Sequence, residues 1–242
     1  MTETTNNPYE APKADVNAQP IQPGVSGSID DALAGRYDFE IGDVMREAWN
    51  ITRGMKSSFW GAAIILYLAM IGVALLGTFV GGKSMAFQII FNILFGAAGY
   101  VIAVGLLNMG VRRAAGLPIN FSTAFGLFDR AGTAFVAGLL VTLLSYVGFF
   151  LLVIPGVYLA MAYCQTMPLI ADRNMKAWEA METSRKAVTK RWFKYFGLFL
   201  VVGLCVGASA LPLGIGLIWT APWMINVIGV VYRRTFGIAQ TA

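Results

Sequence analysis

Histidine is absent from this chain, cysteine occurs twice, and only 13% of the residues are charged, against roughly 25% in ordinary globular domains. Without histidine, and with the acidic residues confined to the first 40 positions and to the edges of apolar stretches, a buried His/carboxylate metal cluster cannot be assembled. Cys164 and Cys205 each stand alone, with no Cys-x-x-Cys spacing, and read as small packing residues. Ser184 lies near Lys186 and Lys190 on an amphipathic surface but has no orienting base. These absences lead us to expect a protein that is not an enzyme and needs neither metal nor cofactor.

A further absence decides the class. Residues 57–82, 84–111, 131–171 and 195–232 contain no Asp, Glu, Lys or Arg, and are built of Leu, Ile, Val, Phe, Ala, Gly and Met. A helix needs about 20 apolar residues to cross a ~30 Å hydrocarbon core. The first two stretches each supply one crossing. The last two are too long for one, and turn formers break each near its middle, at 148–156 with Pro155 and at 210–216 with Pro212. The expected fold is therefore an all-α integral membrane bundle spanning residues 39–237. Its six transmembrane helices fall at about 58–80, 85–111, 132–152, 154–171, 194–212 and 215–232 and pair as three hairpins. The last stretch is tight for two crossings, which leaves open a re-entrant pair.

Residues 1–38 have Pro8, Pro12, Pro20 and Pro23 and few large apolar groups, and read as a disordered tail. That tail lacks the basic start and apolar run of a secretory signal. Of the 18 Lys and Arg residues, only Lys83 falls in a loop opposite the termini, so both chain ends are expected in the cytoplasm. The first 40 residues are acidic while the whole chain is +5, so the membrane domain is strongly basic. Anionic headgroups are the partner such a belt suits, at ~1 kcal/mol per basic residue near the surface. No nucleic-acid reading motif accompanies the charges.

An internal repeat underlies the pattern. Three stretches with helical periodicity each precede a hairpin, and read as amphipathic helices lying in the interface, their apolar sides in the headgroup boundary or against the hairpins. The first puts Ile41, Val44, Met45, Ala48, Thr52, Met55 and Phe59 on one face. The second has Phe121, Ala124, Phe125 and Phe128 at helical spacing after Pro118 and Asn120. The third puts Trp178, Met181, Val188 and Trp192 on one face, with Glu179, Glu182, Lys186 and Lys190 on the other. Gly203 and Gly207 have the spacing of a close helix contact, expected within the bundle.

The third repeat carries a resemblance. Pro155-Gly156-Val157-Tyr158-Leu159, Pro168-Leu169-Ile170-Ala171-Asp172, Trp178-Glu179-Ala180-Met181 with Ser184 and Arg185, and Phe196-Gly197-Leu198 are joined by Gly42-Asp43-Val44 and Glu47-Ala48-Trp49 near the start. Together these resemble the bacterial membrane-protein family that includes the membrane domain of some glycerophosphoryl diester phosphodiesterases and many stand-alone relatives. The resemblance implies a bacterial inner-membrane location and a link to lipid metabolism. It supplies no mechanism, and the phosphodiesterase half is absent.

Two groups of residues are candidates for function. Arg112, Arg113, Arg185, Lys186, Lys190, Arg191, Arg233 and Arg234 are the candidate headgroup contacts. Gln88, Asn92, Asn108, Tyr158, Gln165 and Asn226 are the candidate polar site in the bundle interior. The leading expectation is a non-enzymatic membrane protein of lipid or envelope homeostasis, or a scaffold for a partner protein. A transporter or channel for a small neutral or anionic solute, using the interior residues, is the alternative.

Overall fold

The computed structural model describes residues 27–81 and 84–239, which are helical with no strand among them. The order is α1 (Ile29–Ala34), α2 (Ile41–Ile51), α3 (Lys56–Gly81), α4 (Met85–Ala114), two short 3-10 turns (Phe121–Ala124 and Phe128–Arg130), α5 (Ala131–Leu151), α6 (Val153–Ala162), α7 (Thr166–Arg173), α8 (Ala177–Lys190), α9 (Trp192–Ala210) and α10 (Leu217–Phe236).

Five stretches are long and apolar enough to cross a membrane: Lys56–Val80, Met85–Ala114, Phe121–Leu151, Val153–Arg173 and Trp192–Ala210. The sixth expected span, 215–232, is not among them. Its helix, α10, carries Thr220, Pro222, Asn226, Arg233 and Arg234, and from Pro222 onward it is mostly buried by the protein itself. Its first turn sits beside the first turns of α3. Trp60 Nε1 donates to Ile218 O at 3.1 Å, and the Lys56 ammonium lies 5.0 Å from the centre of the Trp219 ring. An opposed pair of full crossings would instead set Ile218 near Val80, ~30 Å further along α3 than Trp60 at 1.5 Å per residue.

Burial is uneven along the bundle. Core residues gather at the end where the charges lie, from α2, the second half of α4, α7, α8 and α10. The opposite end is bare and apolar: Phe79, Met85 and Ile154 are exposed, and Phe150 is 91% accessible. In water such a surface would drive association, whereas hydrocarbon matches it. Close helix contact is made at Gly110 and Gly229, not at the expected glycines. A Cβ on Gly229 would lie 2.3 Å from Gly110 O, while Gly203 and Gly207 have nothing within 4 Å.

The repeat-leading segments follow expectation only in part. Over the first, the periodic face is present, with Val44, Ala48, Thr52, Met55 and Phe59 buried, and it packs on protein, one of the two seats expected. Trp223 Nε1 donates to Met45 O at 3.1 Å and Asn226 Nδ2 to Thr52 Oγ1 at 2.8 Å. The second segment forms only the 3-10 turns, the first held by a capping box between Asn120 and Thr123. In α8 the buried stripe is Ala180, Met181, Ser184, Ala187 and Val188, while Trp178 is exposed. Small side chains, not the tryptophans, set that face.

The boundary of the tail also moves. Residues 1–26, read as disordered, lie outside the described residues. Residues 27–38 are placed: Ser28 caps α1 by accepting from Asp31 N–H at 3.1 Å, and Gly35 ends it in the left-handed region at φ 76°. Tyr37 is buried and its hydroxyl donates to Ala187 O at 2.9 Å, while Phe39 meets Tyr195 edge-on at 5.3 Å. Two aromatics anchor a segment that composition alone marks as polar.

Candidate functional site

Four arginines at the charged end are used to finish helices. The last carbonyls of a helix have no partner within it and carry the negative end of its dipole, so a guanidinium suits them. Arg113 donates to Ile51 O at 2.8 Å and to Arg53 O at 2.7 Å, closing α2. Arg130 Nη1 donates to Ile170 O at 3.1 Å and also to Ala171 O, closing α7. Arg173 donates to Phe236 O at 2.8 Å, closing α10, and Arg233 Nη1 to Ala114 O at 2.5 Å, closing α4. Each cation stands at the end of one helix and serves the end of another.

Glu47 ties this layer together. Its carboxylate accepts from Arg233 at 2.6 Å and from Arg234 at 2.7 Å. The Arg233 side chain is 2% exposed, so it is buried in protein and does not reach a headgroup. That corrects its assignment as a lipid contact. Arg113 and Arg234 are likewise engaged internally. Arg185 and Lys186 both face Glu182, at 2.9 and 3.6 Å, and the Arg185 hydrogen bonds hold the Glu182 carboxyl below its usual range. The remaining candidates, Arg112, Lys190 and Arg191, have no side-chain hydrogen bond or ion pair among the described residues.

The six interior polar residues do not converge. Asn92 is exposed near the start of α4, its amide donating to Gln88 O at 2.7 Å within the same helix. Tyr158 shares a hydrogen bond with Thr189 Oγ1 at 2.8 Å on α8. Asn226 is buried on α10 against Thr52, and Gln165 is buried at the break between α6 and α7. That break is completed by Ser184, which is buried and not on an exposed surface. Its hydroxyl donates to Ala162 O at 2.7 Å and accepts from Gln165 N–H at 3.2 Å, taking the two backbone groups the kink releases.

Asn108 belongs to a different feature. It lines a cavity of about 610 Å³ at the charged end, formed by the end of α4, the 3-10 turns, the end of α7 and Ile238. Arg112, Arg130, Asp172, Asn120, Ser122 and Thr123 supply its polar wall. Asp172 Oδ2 accepts from Tyr232 O–H and from Ala239 N–H, each at 2.8 Å. Sequence reasoning singled out Arg112 and Asn108 but not their neighbours. The available signal was the density of polar residues between Asn120 and Arg130, in the connection between the charge-free stretches 84–111 and 131–171.

Among the described residues no group of three His, Cys, Asp or Glu is placed to hold a metal ion. Comparison with protein-family models, with curated proteins and with solved structures finds no match.

Proposed function

We propose that this chain is a non-enzymatic, multi-pass membrane protein of a bacterial inner membrane, whose charged end lies in the cytoplasmic headgroup layer and holds anionic phospholipids, in lipid or envelope homeostasis or as a scaffold. The apolar end occupies hydrocarbon. α3 with α4, and α5 with α6 and α7, cross as hairpins, while α9 and α10 enter and return from the charged side. Both chain ends then lie on the cytoplasmic face, where the basic residues concentrate.

The observation that carries the lipid reading is the division of labour among the cations. Arg113, Arg173 and Arg233 close helix ends, and Glu47 neutralises Arg233 and Arg234, but Lys190 and Arg191, beside the start of α9, make no ion pair among the described residues. Charges left over at the boundary of an apolar belt are available to headgroup phosphates.

Native mass spectrometry of the purified protein with defined lipids tests this. Phosphatidylglycerol is expected to stay bound in preference to phosphatidylcholine, and the double change Lys190→Ala, Arg191→Ala to reduce that preference. Equal retention of the two lipids, or no response to the double change, contradicts the reading.

A further inference from the structure

We infer that the cavity walled by Arg112, Arg130 and Asp172 is a binding site for a phosphodiester that carries a primary amine, the chemistry of an ethanolamine phospholipid headgroup or its water-soluble glycerol ester. The inference rests on the placing of this end of the molecule among headgroups and adds which headgroup it selects.

The cations require an acceptor. Arg112 has no hydrogen bond or ion pair among the described residues, and its Nε is shielded from solvent without a partner. Arg130 spends Nη1 on the carbonyls of α7, and its Nε is shielded and makes no hydrogen bond, facing only the exposed Asp129 carboxylate at 3.7 Å. A guanidinium N–H withdrawn from water and left unpaired costs more than a neutral one, and a phosphate oxygen pair matches the guanidinium fork. Asn120 adds to the same wall: its carbonyl oxygen is taken by Ser122 and Thr123, which leaves the amide N–H groups free to donate.

The carboxylate selects against a plain anion. Asp172 is 6% exposed as a side chain, and its Oδ2 is satisfied by Tyr232 and Ala239, with Arg173 Nε 3.7 Å away. Oδ1 has no hydrogen bond among the described residues. An amine-free phosphodiester would bring its negative charge beside this carboxylate. An ammonium on the same ligand instead donates to it, so that the ligand's two charges match the two ends of the wall. A primary ammonium can donate hydrogen bonds, and a quaternary one cannot.

Size and position agree. The volume of about 610 Å³ falls within the few hundred to about 1,000 Å³ usual for small-ligand sites. The cavity lies where the charge-free stretches 84–111 and 131–171 begin or end, the depth at which headgroups sit. Phe121 and Phe128 are exposed on the 3-10 turns beside it and would meet the upper part of the lipid chains.

The experiment uses the full chain in detergent, with native mass spectrometry against phosphatidylethanolamine, phosphatidylglycerol and phosphatidylcholine, and separately against glycerophosphoethanolamine. Phosphatidylethanolamine is expected to be retained about tenfold over phosphatidylcholine, the size of one charge-assisted hydrogen bond. Gly126→Leu is the principal variant. Gly126 lines the cavity, and a Cβ there meets nothing closer than 3.7 Å, so a larger side chain fills the space without displacing backbone. It is expected to abolish the ethanolamine preference while leaving phosphatidylglycerol bound through Lys190 and Arg191. Asp172→Asn is expected to turn the preference toward phosphatidylglycerol. Comparable binding of glycerophosphoethanolamine assigns the site to the soluble ester, and its absence assigns it to the lipid. Ethanolamine lipid held no better than choline lipid, or held equally by Gly126→Leu, overturns the inference. Loss of phosphatidylglycerol selectivity alone overturns only the broader reading.

Discussion

Removing Glu47 should unfold the charged layer more readily than any other single change there. Its carboxylate is the counter-charge to Arg233, which is 2% exposed, and to Arg234, which is 17% exposed. With Glu47→Ala, Arg233 keeps its bond to Ala114 O but becomes a buried cation without a counter-ion, and its Nε is already unbonded. Breaking a buried pair from one side costs about 3–5 kcal/mol, because the surviving charge remains desolvated. At 2–4 °C per kcal/mol for a chain of this size, that is a fall in Tm of roughly 6–20 °C. Intrinsic fluorescence on heating in detergent reads it directly, since the tryptophans include Trp49 and Trp223 on the helices that Glu47 joins. Arg234→Ala should cost far less, because Glu47 then still holds Arg233. The double change Glu47→Leu, Arg233→Met should recover most of the loss by removing both charges. A Glu47→Ala protein whose Tm stays within about 2 °C of the wild type, less than about 1 kcal/mol, would refute this account of the layer.

Other expectations follow from particular contacts. Gly229→Ala forces a Cβ to 2.3 Å from Gly110 O, and should lower stability by about 1–3 kcal/mol, whereas Gly203→Ala should be silent in the same melt. Asp31, Asp38 and Glu182 are each held below the usual carboxylate range, by Ser28, Lys194 and Arg185 respectively. Their folded pKa values lie below the unfolded ones, so their stabilisation is present above about pH 4 and is lost as pH falls through that region. Tm in detergent should therefore decline below about pH 4, and a Tm unchanged down to about pH 3 would contradict these pairings. Leu213→Cys, at the apolar turn between α9 and α10, should resist water-soluble maleimide from either side of the membrane. Rapid modification from outside would show that this pair crosses.

The class of protein was legible because it depends on composition over long windows. Four charge-free stretches and the cations at their borders require nothing of tertiary packing. The last helix is where composition stops deciding, which is why a re-entrant pair stays open there. An uncharged stretch around Asn226 looks like a crossing until Trp60, Thr52 and Met45 are seen to enclose it. The arginines show the limit of reading charge from sequence: Arg112 and Arg113 are neighbours, yet one faces a cavity and the other closes α2. Which of them faces inward is fixed by the helix phase at the end of α4 and by where α2 stops. Ser184 was read as an exposed hydroxyl among lysines, because nothing local signals that Ala162 and Gln165 need it. Tyr37 and Phe39 were the visible cue that order begins before residue 38, and the polar composition around them masked it.

The claim most directly open to test is that the basic end faces the cytoplasm while the apolar end lies in the bilayer. In a background lacking Cys164 and Cys205, single cysteines replacing Lys83 and Lys190 can be treated with a membrane-impermeant maleimide on intact spheroplasts. The account predicts that Lys83→Cys is modified from outside and that Lys190→Cys is modified only after lysis. Modification of Lys190→Cys in intact spheroplasts, with Lys83→Cys protected, would contradict it.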